Sequence, residues 1–147
     1  MFLRTMDFFF FVLFFAASAA AQSAPAANAC LTCHATQQDA RLAGPSTLFS
    51  QADVHRERGF ACADCHGGNP AATVKAQAHD AAKGYKGKPS GTQVIATCAR
   101  CHSDADLMRR YAPKQRVDQS AEYATSVHGK RLASGDANVA TCVSCHG

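Results

Sequence analysis

Cysteine and histidine carry the reactive chemistry of this chain, and they recur as one pattern. Cys30-Leu-Thr-Cys33-His34, Cys62-Ala-Asp-Cys65-His66, Cys98-Ala-Arg-Cys101-His102 and Cys142-Val-Ser-Cys145-His146 are four copies of C-x-x-C-H. They use all eight cysteines of the protein. C-x-x-C-H is the attachment signature of c-type haem. Two thiols at this spacing meet the two vinyl groups of one porphyrin, and the adjacent imidazole becomes the proximal iron ligand. The expected cofactor is therefore haem c, four per chain.

Zinc and redox-active dithiols are the rival chemistries. Zinc ribbons pair two C-x-x-C knuckles about 15–20 residues apart and need no histidine after the second cysteine. Here the gaps between motifs are longer and unequal, and a histidine follows every pair. Redox-active C-x-x-C dithiols sit in a strand-rich fold, and no stretch of this chain alternates as a strand should.

Seven histidines divide into two sets. His34, His66, His102 and His146 belong to the motifs. His55, His79 and His128 are free, and they fall one per interval: His34 then His55, His66 then His79, His102 then His128. This alternation points to one sixth ligand for each of the first three haems, giving low-spin, low-potential iron suited to electron transfer. The bland alternative for each free histidine is an ordinary surface residue. Order alone does not assign a free histidine to a haem, and Val54-His55 could equally serve the haem at Cys62/Cys65.

One haem is left without a distal histidine, the one at Cys142/Cys145/His146. Four accounts compete. The chain continues beyond Gly147 and the next histidine lies there, which is the expectation favoured. Met108 could be the ligand, which would raise that potential, although it equally suits core packing. The iron could be open to a small molecule. A neighbouring subunit could supply the ligand, though each copy of the chain still brings only three free histidines.

The elements that must position these groups are read from the rest of the chain. Residues 1–21 have the form of a secretory signal peptide: Arg4, then the apolar run Phe8–Phe15, then Ala19-Ala20-Ala21 as an A-x-A cleavage site. The apolar stretch is shorter than the roughly 20 residues that span a bilayer, so no transmembrane anchor is expected in the mature chain. Export places the protein in the periplasm or outside the cell, where c-type haem is attached.

Residues 22–147 read as one tetrahaem domain. Leu, Ile, Val and Phe make up 15 of its 126 residues. That share lies below the roughly 20% typical of disordered chains, too little to offset chain entropy alone. The expected resolution is that porphyrins form the core and the polypeptide wraps them. The haem-free chain should then be unfolded.

The formal net charge is +4. Lys83/Lys86/Lys88, Arg109/Arg110/Lys114/Arg116 and Lys130/Arg131 would suit haem propionates, with solvated faces as the plainer reading. Nucleic acid is not expected as a partner.

An internal repeat is visible. Residues 30–67 and 98–147 each run C-x-x-C-H, Val-His, C-x-x-C-H-G, as two two-haem units joined by a Gly/Pro-rich connector, 68–97. The fold class expected is mainly α with extensive loops and little or no β-sheet. Helices are expected near Ala71–Ala82, over Thr92–Ala112 with Pro113 as the stop, and over Ala121–Ala133 with Ser120 as N-cap and Gly135 as terminator. His128 would then lie mid-helix, with Gly129 letting a porphyrin approach the backbone.

Val54-His55…Cys62-Ala-Asp-Cys65-His66-Gly67-Gly68, Ala78-His79…Gly87-Lys88-Pro89, Cys101-His102-Ser103-Asp104…Met108…Tyr111 and Tyr123…Ser126-Val127-His128-Gly129…Cys142-Val-Ser-Cys145-His146-Gly147 together resemble multihaem c-type cytochromes, the cytochrome c3 or cytochrome c554-like family. The resemblance covers nearly all of the mature chain. It implies bis-His haems stacked in close pairs, a helical and loop-rich wrap, and periplasmic or extracellular electron transfer. His55, His79 and His128 match the distal-ligand positions of that family. Redox proteins are the implied partners, as electron donor and acceptor, with an oligomer or filament left open. The expected function is electron relay rather than catalysis. The alternative is a multihaem oxidoreductase, or a domain of one, that reduces a small nitrogen or sulfur species at the under-ligated haem.

Overall fold

The computed structural model describes residues 28–146. The signal-peptide reading of residues 1–21 therefore lies outside the described residues, as does Gly147.

Each C-x-x-C-H lies on a helix. The four carriers are α1 (Ala29–Ala35), α4 (Cys62–His66), α6 (Gly91–His102) and α10 (Cys142–His146). Between them run α2 (Ala40–Ala52), α3 (Val54–Glu57), α5 (Lys75–Ala78), α7 (Ala105–Tyr111), α8 (Gln119–Thr125) and α9 (Val127–Ala133), with a 3₁₀ turn at Ala81–Lys83. The chain is thus mainly helical, as expected, with no strand among the described residues. No helix there is long and apolar enough to cross a membrane.

Helices this short are marginal in water by themselves, so their ends carry much of the local specification. In α4 the residue between the two cysteines does the capping: the Asp64 carboxylate accepts from the Ala61 N–H at 2.6 Å. In α10 the Ser144 hydroxyl accepts from Thr141 N–H at 2.9 Å. In α6 the pair Ser90 and Gln93 forms a reciprocal capping box.

Two expected helices are each split in two. Thr92–Ala112 breaks at Ser103-Asp104, because the Asp104 side chain accepts from the Asp106 and Leu107 N–H groups and starts α7 anew. Ala121–Ala133 breaks at Ser126, whose hydroxyl accepts from Gly129 N–H and caps α9. Ser120 is therefore not the N-cap; it lies inside α8, and its hydroxyl meets that of Ser103. Gly135, at φ +96°, does follow the end of α9. The expected helix near Ala71–Ala82 is the shorter pair α5 and the 3₁₀ turn. Helix α2 was not among the expected helices and holds Pro45 inside it; Asp39 starts it by accepting from Arg41 N–H at 2.9 Å.

α6 is the hub, packing against α7, α8 and α10, while α1 packs on α2 and α8 on α9. The apolar core these contacts enclose is very small. Among the described residues Val94 (8% exposed) and Met108 (7%) are the buried hydrophobic side chains, and no side chain falls below 2% exposure. Leu48, Val54, Val74, Val127 and Val143 are more than half exposed. The arrangement is held by caps, turns and backbone bonds more than by buried side chains.

Candidate functional site

On a helix, residues i, i+3 and i+4 share one face. Each motif therefore presents two thiols and one imidazole from a single side of its helix. The cysteines are all free thiols, not disulfides.

The four motifs neighbour one another in chain order. Asn28 Nδ2 lies 3.8 Å from Cys62 Sγ, which joins the first motif to the second. The Arg100 guanidinium, between the cysteines of the third motif, donates to the Asp64 carbonyl in the second. Cys142 lies near enough to Cys98 to raise its pKa, which brings the third motif beside the fourth. Tyr123 on α8 adds a strut, its hydroxyl donating to the Ala140 carbonyl at 2.9 Å just before α10.

Burial and the neighbouring Cys142 push the Cys98 thiol up to about 11. Burial, with Cys62 nearby, pushes Cys30 in the same direction. These thiols stay protonated at neutral pH. Redox-active dithiols need the thiolate, and so the opposite shift.

Histidines meet in pairs. The rings of His34 and His79 have centroids 6.2 Å apart at an interplanar angle of 69°. Those of His55 and His102 are 6.1 Å apart at 86°. Two imidazoles bound to opposite sides of one metal, each with its nitrogen about 2 Å away, have ring centres about 6 Å apart. Each pair joins one motif histidine to one free histidine. The order of histidines along the chain is not the order of pairing: His55 faces His102 of the third motif rather than either motif flanking it, and His79 reaches back to His34.

One member of each pair has its tautomer fixed. His34 Nδ1 is 3.1 Å from the Leu42 carbonyl of α2. A carbonyl can only accept, so Nδ1 carries the proton and Nε2 keeps the free lone pair. His55 Nδ1 is 3.1 Å from the Asp53 carboxylate, with the same result. The other two imidazoles are held neutral. Burial lowers the pKa of His102, helped by His55 and His146. Burial, then His34 and Lys75, lowers that of His79. Neutral imidazole is the ligating form.

Glycine positions His79. Gly67 (φ +70°) and Gly68 (φ +88°) follow the second motif, where a Cβ would lie 2.1 Å from the Gly84 oxygen and 2.4 Å from the Ala78 oxygen. Without side chains there, the connector closes onto the motif. Gly68 N–H donates to Lys83 O and Asn69 N–H to Ala78 O, both at 2.9 Å, and Lys86 N–H to His66 O at 3.0 Å. His79 emerges from this turn with its ring stacked on Tyr85, centroids 4.4 Å apart. His55 is flanked by Phe60, which packs on Tyr111.

The remaining histidines form no ring pair among the described residues, although His146 lies near enough to His102 to help lower its pKa. His66, His128 and His146 are exposed. Among the described residues no aromatic ring packs against them. His128 is not mid-helix but the second residue of α9. The adjacent Gly129 serves protein packing rather than a porphyrin, since its Cβ would meet the Tyr123 oxygen at 2.0 Å. Met108 is buried on α7, the place of a packing residue.

Among the described residues no three or more Cys, His, Asp or Glu side chains converge as a ligand cluster. The two thiols and one imidazole of each motif, with a facing free histidine at the first and third, are donors that would suit c-type haem.

Sequence reasoning missed Asp53, Tyr85, Phe60 and Arg100. Asp53 alone carried a local signal, an N-cap residue two positions before a histidine; the others act through contacts made only in the fold. No family model matches the chain, and neither a curated protein nor a solved structure is similar to it.

Proposed function

We propose that this chain is an exported tetrahaem c-type cytochrome that relays electrons between redox proteins in the periplasm or outside the cell. The observation that carries the reading is the pairing of His34 with His79 and His55 with His102 at the ring spacing of axial ligands. When bound, the haems supply one-electron Fe(III)/Fe(II) chemistry. Cys30/Cys33, Cys62/Cys65, Cys98/Cys101 and Cys142/Cys145 anchor them covalently. His34, His66, His102 and His146 are the proximal ligands. His79 would join His34 at the first centre and His55 would join His102 at the third, with Nε2 of His34 and of His55 left free by their Nδ1 hydrogen bonds. The adjacency of the four motifs supports passage of electrons along the chain. The small apolar core supports a fold completed by cofactors.

The protein matured in an exporting host with a haem-attachment system is expected to show a c-type haem spectrum with low-spin components from the two paired centres, reversing on reduction and reoxidation. A colourless protein, or one whose spectrum does not respond to reductant, contradicts the reading.

A second reading rests on one observation: among the described residues no ring faces His66 or His146. An iron so exposed would admit a small nitrogen or sulfur species for reduction. Carbon monoxide bound by the reduced native protein would favour this reading, and a spectrum unmoved by carbon monoxide would remove it.

A further inference from the structure

The two histidine pairs are not equivalent, and the difference is a charge. His34 donates its Nδ1 proton to a neutral acceptor, the Leu42 carbonyl, at 3.1 Å. His55 donates its Nδ1 proton to a carboxylate, Asp53 Oδ1, at the same distance. The same oxygen accepts from the His55 backbone N–H at 2.7 Å and so starts α3. Asp53 thus fixes the backbone, the ring and the tautomer of His55 together. No Lys or Arg forms an ion pair with it among the described residues, where Asp39, Asp106, Asp118 and Asp136 are each paired with an arginine. Its charge is left to act on the imidazole it touches and, more weakly, on Cys65 of the second motif.

We infer that Asp53 is a positioning and tuning residue that makes the haem held by His55 and His102 the lower in potential of the two paired centres. This rests on the haem reading above. A carboxylate on Nδ1–H draws the proton toward itself and makes Nε2 a stronger donor. A stronger donor, and a negative charge nearby, favour Fe(III) over Fe(II). The carbonyl on His34 does this less. The electron then leaves the third centre more readily than the first, which gives the relay a direction between them.

Asp53→Asn is the clean test, because asparagine caps a helix as well as aspartate does and keeps an oxygen for the Nδ1 proton while removing the charge. Potentiometric titration of the haem-loaded protein, followed by visible absorption and by electron paramagnetic resonance, should show one centre rising. A tenfold weakening of its preference for Fe(III) would read as about 59 mV for a one-electron couple. The first and fourth centres should keep their potentials, and any rise at the second, whose Cys65 lies near Asp53, should be smaller. Asp53→Ser, which also caps, should move the same centre in the same direction. Asp136→Asn, which removes a carboxylate paired with Arg131, should move none.

Titrations of Asp53→Asn and Asp53→Ser that superimpose on the wild type would overturn the inference and leave Asp53 as a cap alone. A wild-type protein without haem would instead overturn the functional reading beneath it, so the two failures are distinct.

Discussion

At the residue scale the account rests on imidazole nitrogens. The four C-x-x-C-H motifs were legible from spacing alone, because their chemistry lies within five consecutive residues. The pairing of the free histidines was not. His79 and His34 lie in different stretches of chain, and only the turn at Gly67-Gly68 brings them to 6.2 Å. What a carbonyl or carboxylate does to a ring nitrogen is likewise invisible until the fold supplies the acceptor. The pairing predicts selective damage. His79→Ala in the haem-loaded protein should convert one haem in four from low-spin to a high-spin, carbon-monoxide-binding form. His55→Ala should do the same to a different haem, and the double variant should show both changes together. Spin-state counting by electron paramagnetic resonance measures this. A single substitution that changes two haems, or none, would contradict the pairing.

At the scale of elements, helix existence was readable and helix continuity was not. The stretches 92–112 and 121–133 are rich in helix formers, but Asp104 and Ser126 start new helices inside them by accepting from N–H groups of the following turn. Such residues compete with the backbone for hydrogen bonds, and their effect depends on where the chain must bend. The breaks have a use. Ending α6 at His102 leaves the third motif on its last turn, and beginning α9 at Val127 puts His128 in a first turn, the register His55 holds in α3. The glycines are the most sensitive points. Gly67 has φ +70° and ψ −161°, a region open essentially to glycine alone, where another residue costs of order 1–3 kcal/mol. Gly67→Ala also sets a methyl against the Gly84 carbonyl. It should lower the denaturation midpoint of the haem-loaded protein and release His79, so that one haem binds carbon monoxide. A Gly67→Ala protein with wild-type stability and the wild-type spin-state spectrum would show that this close approach is not needed.

At the scale of the whole molecule, the composition and the fold describe the same shortage. A chain with 15 Leu, Ile, Val and Phe in residues 22–147 cannot close an apolar core, and Val94 and Met108 are what is buried. The main-helical class followed from cap and stop residues, the lack of strand alternation and the family resemblance; the arrangement of helices did not, since the chain packs few side chains to dictate it. The exposed Val54, Val127 and Val143, each beside a histidine or within a motif, would cover porphyrin faces if the proposed haems are bound. The haem-free protein should therefore lack a cooperative thermal transition by far-ultraviolet circular dichroism. The haem-loaded one should melt cooperatively.

The most direct measurement is the intact mass of the mature exported protein after denaturation, which strips any group not held by covalent bonds. Covalent attachment through eight cysteines predicts the mass of the processed chain plus four haems, with no thiol left to alkylate. A mass equal to the bare polypeptide, with all eight thiols open to alkylation, would contradict it.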